Sequence, residues 1–273
     1  MRVERPRRLA LLLGAVVVLV AAGSALAWGV TANRGGPDDL LPNLVQAVPD
    51  ELSGRTGGTS VAPRFFLGFA SAAANLGDGP LIVLGRRGDL DEPEMTLRQQ
   101  IRRSDGSERT VPLRAKLTYV RSTDHAHWHV RGFMRYELRT PDGVRVGRDR
   151  KTGFCLGDRY RVDLALPGRS QTARYSERCG KGAPQLKRIR EGISIGWGDD
   201  YAAHLEGQEL ELTSRAPGRY ILVHRVNASR DLRETDYGDN AASMAIELSW
   251  PRGRSQPPRI DVLARCPGRA TCE

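Results

Sequence analysis

The sequence predicts an all-β protein, an antiparallel β-sandwich with long irregular loops preceded by an N-terminal export or anchor segment. Three observations predict it. Glycine and proline are plentiful, at 30 and 16 of 273 residues; helix-period stretches are few; and short alternating apolar runs recur between turn-forming clusters. The clearest such runs are 209–212, 220–226 and 245–250.

The chain opens with Arg2, Arg5, Arg7 and Arg8 followed by an uncharged apolar run over 9–30, the arrangement of an export signal. Ala25-Leu26-Ala27 offers a small-residue cleavage site, yet a run of about 20 apolar residues also spans a bilayer. Residues 1–30 therefore read as a signal peptide or a single membrane anchor, with the positive side inside and the main domain facing out, extracellular or at the cell surface. The flanks of Arg7-Arg8 fit a twin-arginine signal poorly, and no cysteine follows the run to carry a lipid. Asn33, Gly35, Gly36 and Pro37 mark 31–39 as a linker, 40–251 as one β domain, and 252–273 as a tail with a small cysteine loop.

A net charge of +10 ordinarily raises nucleic acid as a partner. Here the positive residues are scattered and nearly all arginine, the lysines being Lys116, Lys151, Lys181 and Lys187. The charge reads as compositional bias, and nucleic acid is not an expected partner. Four cysteines in an exported chain read as two disulfides with three pairings open. Proximity favours Cys155 with Cys179 and Cys266 with Cys272; a thiolate metal site lacks the C-x-x-C spacing it would need.

Within the domain, 40–45 reads as an edge strand because Pro42 cannot donate to a ladder. The stretch 65–77 alternates loosely, turns at Gly77-Asp78-Gly79-Pro80 and meets the strand 81–84, a β-hairpin signature. Charge and few apolar residues make 85–106 a surface excursion. A strand at 113–120 then leads into the histidines, and 133–138 pairs with 144–146 across Thr140-Pro141-Asp142-Gly143. A polar loop covers 157–182, and 192–201 is a glycine-punctuated stretch of the kind that brings backbone close to a site.

The chemistry concentrates in His125-Ala126-His127-Trp128-His129. At strand period the three imidazoles share one face and Ala126 and Trp128 the other. Residues i and i+4 lie roughly 13 Å apart on an ideal strand, so using all three as ligands requires a bend or bulge. Neutral imidazole suits copper, zinc, iron or nickel, and copper leads the affinity order. His204 and His224 lack ligand spacing and read as ordinary loop and strand residues.

Three segments together resemble the lysyl oxidase family in its shorter bacterial form: the H-x-H-x-H stretch; Lys151-x-x-Phe154-Cys155-Leu156-x-Asp158; and Gly192-Ile193-Ser194 through Gly196, Asp199 and Tyr201 to Gln208. Residues 216–222 with 236–240 are similar to the family's last strands, and 41–45 to the start of its catalytic domain. The resemblance implies a copper amine oxidase with Cu2+ held by His125, His127 and His129. Its lysine tyrosylquinone cofactor would be built from the Lys151 amine and the Tyr201 ring. Asp199 and Asp200, next to Tyr201, are both candidates for the general base, and the resemblance implies Asp199; it also implies Cys155 with Cys179 as one of the family's bridges, Cys266 and Cys272 lying beyond the matched region. The implied reaction condenses a primary amine with the quinone carbonyl and releases aldehyde, ammonia and, after reoxidation by dioxygen, hydrogen peroxide. Small amines or lysine-bearing proteins are both open as substrates.

Lys151 must be neutral to attack a ring carbon, and burial, Arg148, Arg150 and the metal would all lower its pKa. Two other classes compete. One is a copper-binding β-sandwich module without catalysis, in which the cross-link never forms. The other is a mononuclear iron or cupin-like oxygenase, which needs a carboxylate ligand that Asp124, on the opposite strand face, supplies poorly.

Overall fold

In a computed structural model, residues 37–122, 126–149, 153–176 and 178–273 are described. They form an all-β fold of antiparallel strands in three sheets. The first sheet runs β12 (Arg188–Ile193), β5 (Leu81–Arg86), β6 (Glu94–Arg103), β7 (Glu108–Arg121), β8 (Ala126–Val130), with β1 (Asp39–Leu40) on β6. The second runs β10 (Arg145–Arg148), β9 (Met134–Arg139), β15 (Gly218–Val226), β16 (Ala241–Ser249), β17 (Arg259–Cys266). The third is built on the long β4 (Pro63–Asn75), which takes β13 (Trp197–Tyr201), β14 (Glu209–Glu211), β2 (Leu44–Gln46) and β3 (Asp50–Gly58), with β11 (Tyr160–Arg161) on β13.

All three sheets feed one apolar cluster. Leu67 and Phe69 enter it from β4, Met95 and Leu97 from β6, Trp128 and Val130 from β8, and Tyr136, Leu222 and Met244 from the second sheet. Burying such side chains stabilises the fold by about 1.5–3 kcal/mol each before chain entropy is counted. A smaller cluster on the second sheet joins Ile221, Val223 and Ala245 to Cys266 and Cys272. Their disulfide therefore pins the chain's end over that sheet, and the expected tail contains the edge strand β17.

Three expectations are corrected. The run around Pro42 divides into β1 and β2, as a residue without an N–H dictates. The stretches 65–77 and 81–84 form no hairpin, since β4 and β5 lie in different sheets. Asn75 makes the crossing: its Oδ1 accepts from the N–H groups of Asn43 and Gly77 at 3.0 and 3.1 Å, and its Nδ2 donates to Gly79 O at 2.9 Å and Ile193 O at 3.2 Å. The charged excursion 85–106 contains β6, with Met95, Leu97, Gln99 and Ile101 buried and the residues between them turned outward or half-buried. The hairpin of β9 and β10 forms as the turn residues 140–143 require.

Among the described residues no helix is long and apolar enough to cross a membrane. The export or anchor segment at 1–30 and the linker up to residue 36 lie outside the described residues.

Candidate active site and metal-binding strand

β8 carries the centre of the site. It pairs with β7 in unbroken antiparallel register, Val120 opposite His127 and Thr118 opposite His129. Strand alternation puts both imidazoles on one face, where their ring centroids are 4.7 Å apart at an interplanar angle of 44°. His129 is buried and His127 half-buried. The bulge expected of the segment does not occur between Ala126 and Val130. His125 and Asp124 lie outside the described residues.

The opposite face is held rigidly. Trp128 is fully buried; its backbone N–H donates to Cys179 O at 2.9 Å and its indole N–H to Ala183 O at 3.1 Å. Tyr119 packs edge-on at 5.5 Å. The guanidinium carbon of Arg87 stands 4.9 Å from the Trp128 ring centre. That guanidinium donates to the carbonyls of Leu186 at 2.9 Å, Leu90 at 3.2 Å, Glu92 at 2.8 Å and also Pro184. Arg87 thus gathers the 90–92 and 184–186 loops behind the strand, a role that its exposed-looking sequence context does not announce.

The second motif lies against β8. Val130 and Phe154 exchange backbone hydrogen bonds at 2.7 and 3.0 Å. So close an approach requires Gly153: a Cβ there would sit 2.8 Å from Val130 O and 2.9 Å from His129 Cβ. The next residue, Cys155, is bonded to Cys179, the pairing that proximity favours. Lys151 lies outside the described residues.

The third motif closes on the second. Chain passes from β12 to β13 across Ser194–Gly196, so the glycine-punctuated stretch is two strands in two sheets. Asp158 fixes this crossing, its carboxylate accepting from the Ser194 N–H and hydroxyl, each at 2.7 Å. Tyr201, at the end of β13, is buried; its hydroxyl donates to Cys155 O and lies 3.2 Å from Asp199 Oδ2. Phe154 packs edge-on against the Tyr201 ring at 4.9 Å. Gln208 lies beneath, its amide 3.4 Å from Tyr201 O.

Electrostatically the site is acidic and dry. Burial, reinforced by Asp199, holds the Tyr201 phenol well above its ordinary pKa. Burial likewise pushes Asp199 up, with Arg159 3.8 Å away in partial opposition. A second buried carboxyl, Glu191, takes the Leu156 N–H at 3.1 Å and is also pushed up by burial. Sequence reasoning passes over Glu191, because an acid inside the alternating 188–193 run looks like a solvent-facing position. His224 is a core residue between Phe69 and Tyr136, at 4.6 and 4.4 Å, and burial lowers it to about 3, so it stays neutral. His204 is exposed.

The lysyl oxidase family model matches residues 92–252, more than half of the chain. The chain belongs to the lysyl oxidase family. Human lysyl oxidase homolog 3 is 28% identical over 131 residues, 48% of this chain and 16% of the human one. Zebrafish lysyl oxidase homolog 2B is 26% identical over 221 residues, 80% of this chain and 26% of its own. Lysyl oxidase homolog 2 of Xenopus laevis is 24% identical over 233 residues, 83% and 27% of the two chains. This lysyl oxidase family member thus spans about a quarter or less of the length of these relatives.

Whether the residues fit a copper ion is tested by the donors themselves. Two imidazoles on one strand face, tilted and adjacent, with a buried ring braced from behind, are borderline-soft nitrogen ligands of the kind copper takes. Among the described residues no cluster of three or more His, Cys, Asp or Glu side chains suited to a metal is formed. A third nitrogen from His125 would complete the set that its spacing suggests.

Proposed function

We propose that the protein is a copper-dependent amine oxidase that deaminates primary amines, either peptidyl lysine or small amines, to aldehydes with release of ammonia and hydrogen peroxide. His125, His127 and His129 would hold the copper, and Lys151 and Tyr201 would form a lysine tyrosylquinone. When bound and formed, these groups supply the oxidising power and the electrophilic carbonyl that ordinary side chains lack. The domain works outside the cytoplasm, delivered by the segment 1–30 as a cleaved signal or a single anchor.

The observation that carries this reading is the bond from the Tyr201 hydroxyl to Cys155 O. It sets the phenol against the segment that pairs with the histidine strand, four residues beyond Lys151. The chain's own residues then have definable work. Phe154 holds the ring plane from one edge and excludes water. Asp199 Oδ2, near the phenol and desolvated, is a stronger proton acceptor when ionised than a carboxylate in water, which suits it to take the α-proton. Arg159 opposes its full neutralisation.

Peptide mass spectrometry of copper-loaded, exported protein tests the reading. The expected result is a covalent link between the peptides holding Lys151 and Tyr201, a quinone absorbance, and peroxide production with primary amines. Separate unmodified peptides despite bound copper would reduce the protein to a copper-binding β module.

A further inference from the structure

Cys179, whose carbonyl receives the Trp128 N–H, also lines a separate hollow. This cavity of about 460 Å³ is walled by Arg102, Arg174, Arg178, Arg190 and Tyr175. Four arginines line it, with little opposing charge among the described residues. Only Arg102 has a carboxylate within ion-pair reach among the described residues, Glu108 at 3.9 Å. Arg174 donates from Nε to Ser170 Oγ at 3.0 Å, and the guanidinium carbon of Arg190 lies 5.8 Å from the Tyr175 ring centre. The Arg178 side chain makes no ion pair among the described residues. The nearby carboxylate, Asp158, is committed to the N–H groups of Arg174 at 2.7 Å, Tyr175 at 3.2 Å and Ser194.

The backbone that carries these arginines is held in place, while the side chains of Arg174, Arg178 and Arg190 reach out to solvent. Arg102 and Arg190 stand on β6 and β12 of one sheet. The loop bearing Arg174 and Arg178 is tied down by Asp158, by the disulfide to Cys155, and by the Gly182 N–H to Ala126 O bond at 2.8 Å. Gathering like charges around one hollow is unfavourable until an anion enters, and backbone already fixed need not be ordered on binding. Guanidinium forks match the paired oxygens of phosphate and carboxylate, and the volume falls within the range of small-ligand sites.

We propose that this cavity binds a multivalent oxyanion, a small ligand carrying a phosphate group or several carboxylates. Arg102, Arg174, Arg178 and Arg190 grip its oxygens and the Tyr175 ring forms the apolar wall. The site is independent of the amine oxidase reading.

Isothermal titration of the full copper-loaded chain at low salt tests it, with inorganic phosphate and tricarballylate as separate probes. The expected result is saturable one-site binding that weakens about tenfold or more in Arg178→Gln/Arg190→Gln. In Arg188→Gln, an exposed arginine of β12 outside the cavity, binding should stay within about twofold. The tighter probe identifies the source as phosphate ester or polycarboxylate. Absence of saturable binding with both probes overturns the proposal. So does an equal loss in Arg188→Gln, which would make the overall charge responsible, and so does full binding in the double variant. Should the double variant unfold, Arg174→Gln alone carries the same expectation, with its thermal melt as the folding check.

Discussion

The Arg87 guanidinium carbon lies 4.9 Å from the centre of the Trp128 ring, on the face of the strand opposite His127 and His129. The same guanidinium satisfies four loop carbonyls. One cation thereby braces the histidines through the indole between them. Arg87→Lys keeps the charge but not the fork, leaving several carbonyls unpaired. We expect a loss of about 2–4 kcal/mol in urea unfolding and weaker copper binding in a competition titration. Unchanged copper affinity alongside lost stability would confine Arg87 to the loops.

Gly153→Ala should disturb the histidine strand directly. The added methyl would meet Val130 O and His129 Cβ at 2.8 and 2.9 Å, both of them backbone-fixed. A loss of about 1–3 kcal/mol is expected. The imidazole signals of His129 should shift in NMR more than those of His224. A neutral substitution would mean that the segment can step away from β8.

Tyr201→Phe removes the hydroxyl and keeps the ring against Phe154. The fold should persist with about 1–2 kcal/mol lost. Quinone absorbance and amine-dependent peroxide should both vanish. Retained oxidase activity would displace Tyr201 from the proposed chemistry.

The buried carboxyl of Glu191 gives a pH signature. Its pKa is raised on folding, so between the ordinary carboxylate range and the raised value the folded state holds the extra proton. Stability is therefore greater on the acid side of that window and falls as pH rises through it. Glu191→Gln leaves an oxygen for the Leu156 N–H and removes the ionisation. The variant should match its parent near pH 5 and exceed it toward pH 8, the gap growing by up to about 1.4 kcal/mol per pH unit. A gap that does not change with pH would show that Glu191 is ionised in the folded state across this range, as it is in the unfolded chain.

Removing the two disulfides separately should give unequal losses. Cys155 and Cys179 are 24 residues apart and Cys266 and Cys272 only 6. Loop-closure entropy puts the losses at about 3.5 and 2.3 kcal/mol. Serine pairs measured by denaturant unfolding test the order, and only the first pair should also alter the Tyr201 environment.

Much of the site is legible in the chain because its signals are local. The period of His127 and His129 sets their shared face, and Gly153, Cys155 and Tyr201 stand in short motifs. What stays hidden depends on distant partners. The turn at Gly77–Pro80 has every local mark of a hairpin, yet the side chain of Asn75 finds Ile193 O across the molecule and sends the chain to another sheet. In β6 Arg98 faces outward and Gln100, Arg102 and Arg103 are half-buried, while Met95, Leu97 and Ile101 supply the core. Buried Gln99 breaks the apolar pattern for a nonlocal reason: it exchanges hydrogen bonds with the backbone of Arg233, both at 2.8 Å. Arg87 is illegible for the same cause, since its carbonyl partners reach as far as residue 186.

The acceptor for the Tyr201 hydroxyl is the carbonyl of a half-cystine, and that bridge's other half anchors Trp128 behind the histidines. Oxidation of two thiols thereby joins the two halves of the candidate centre. A copy retained among reducing thiols would lack the clasp between the phenol's shelf and the metal strand. On the proposed copper chemistry, such a copy would meet the metal with the two halves of the centre unregistered, and maturation would then follow arrival in an oxidising compartment rather than synthesis alone.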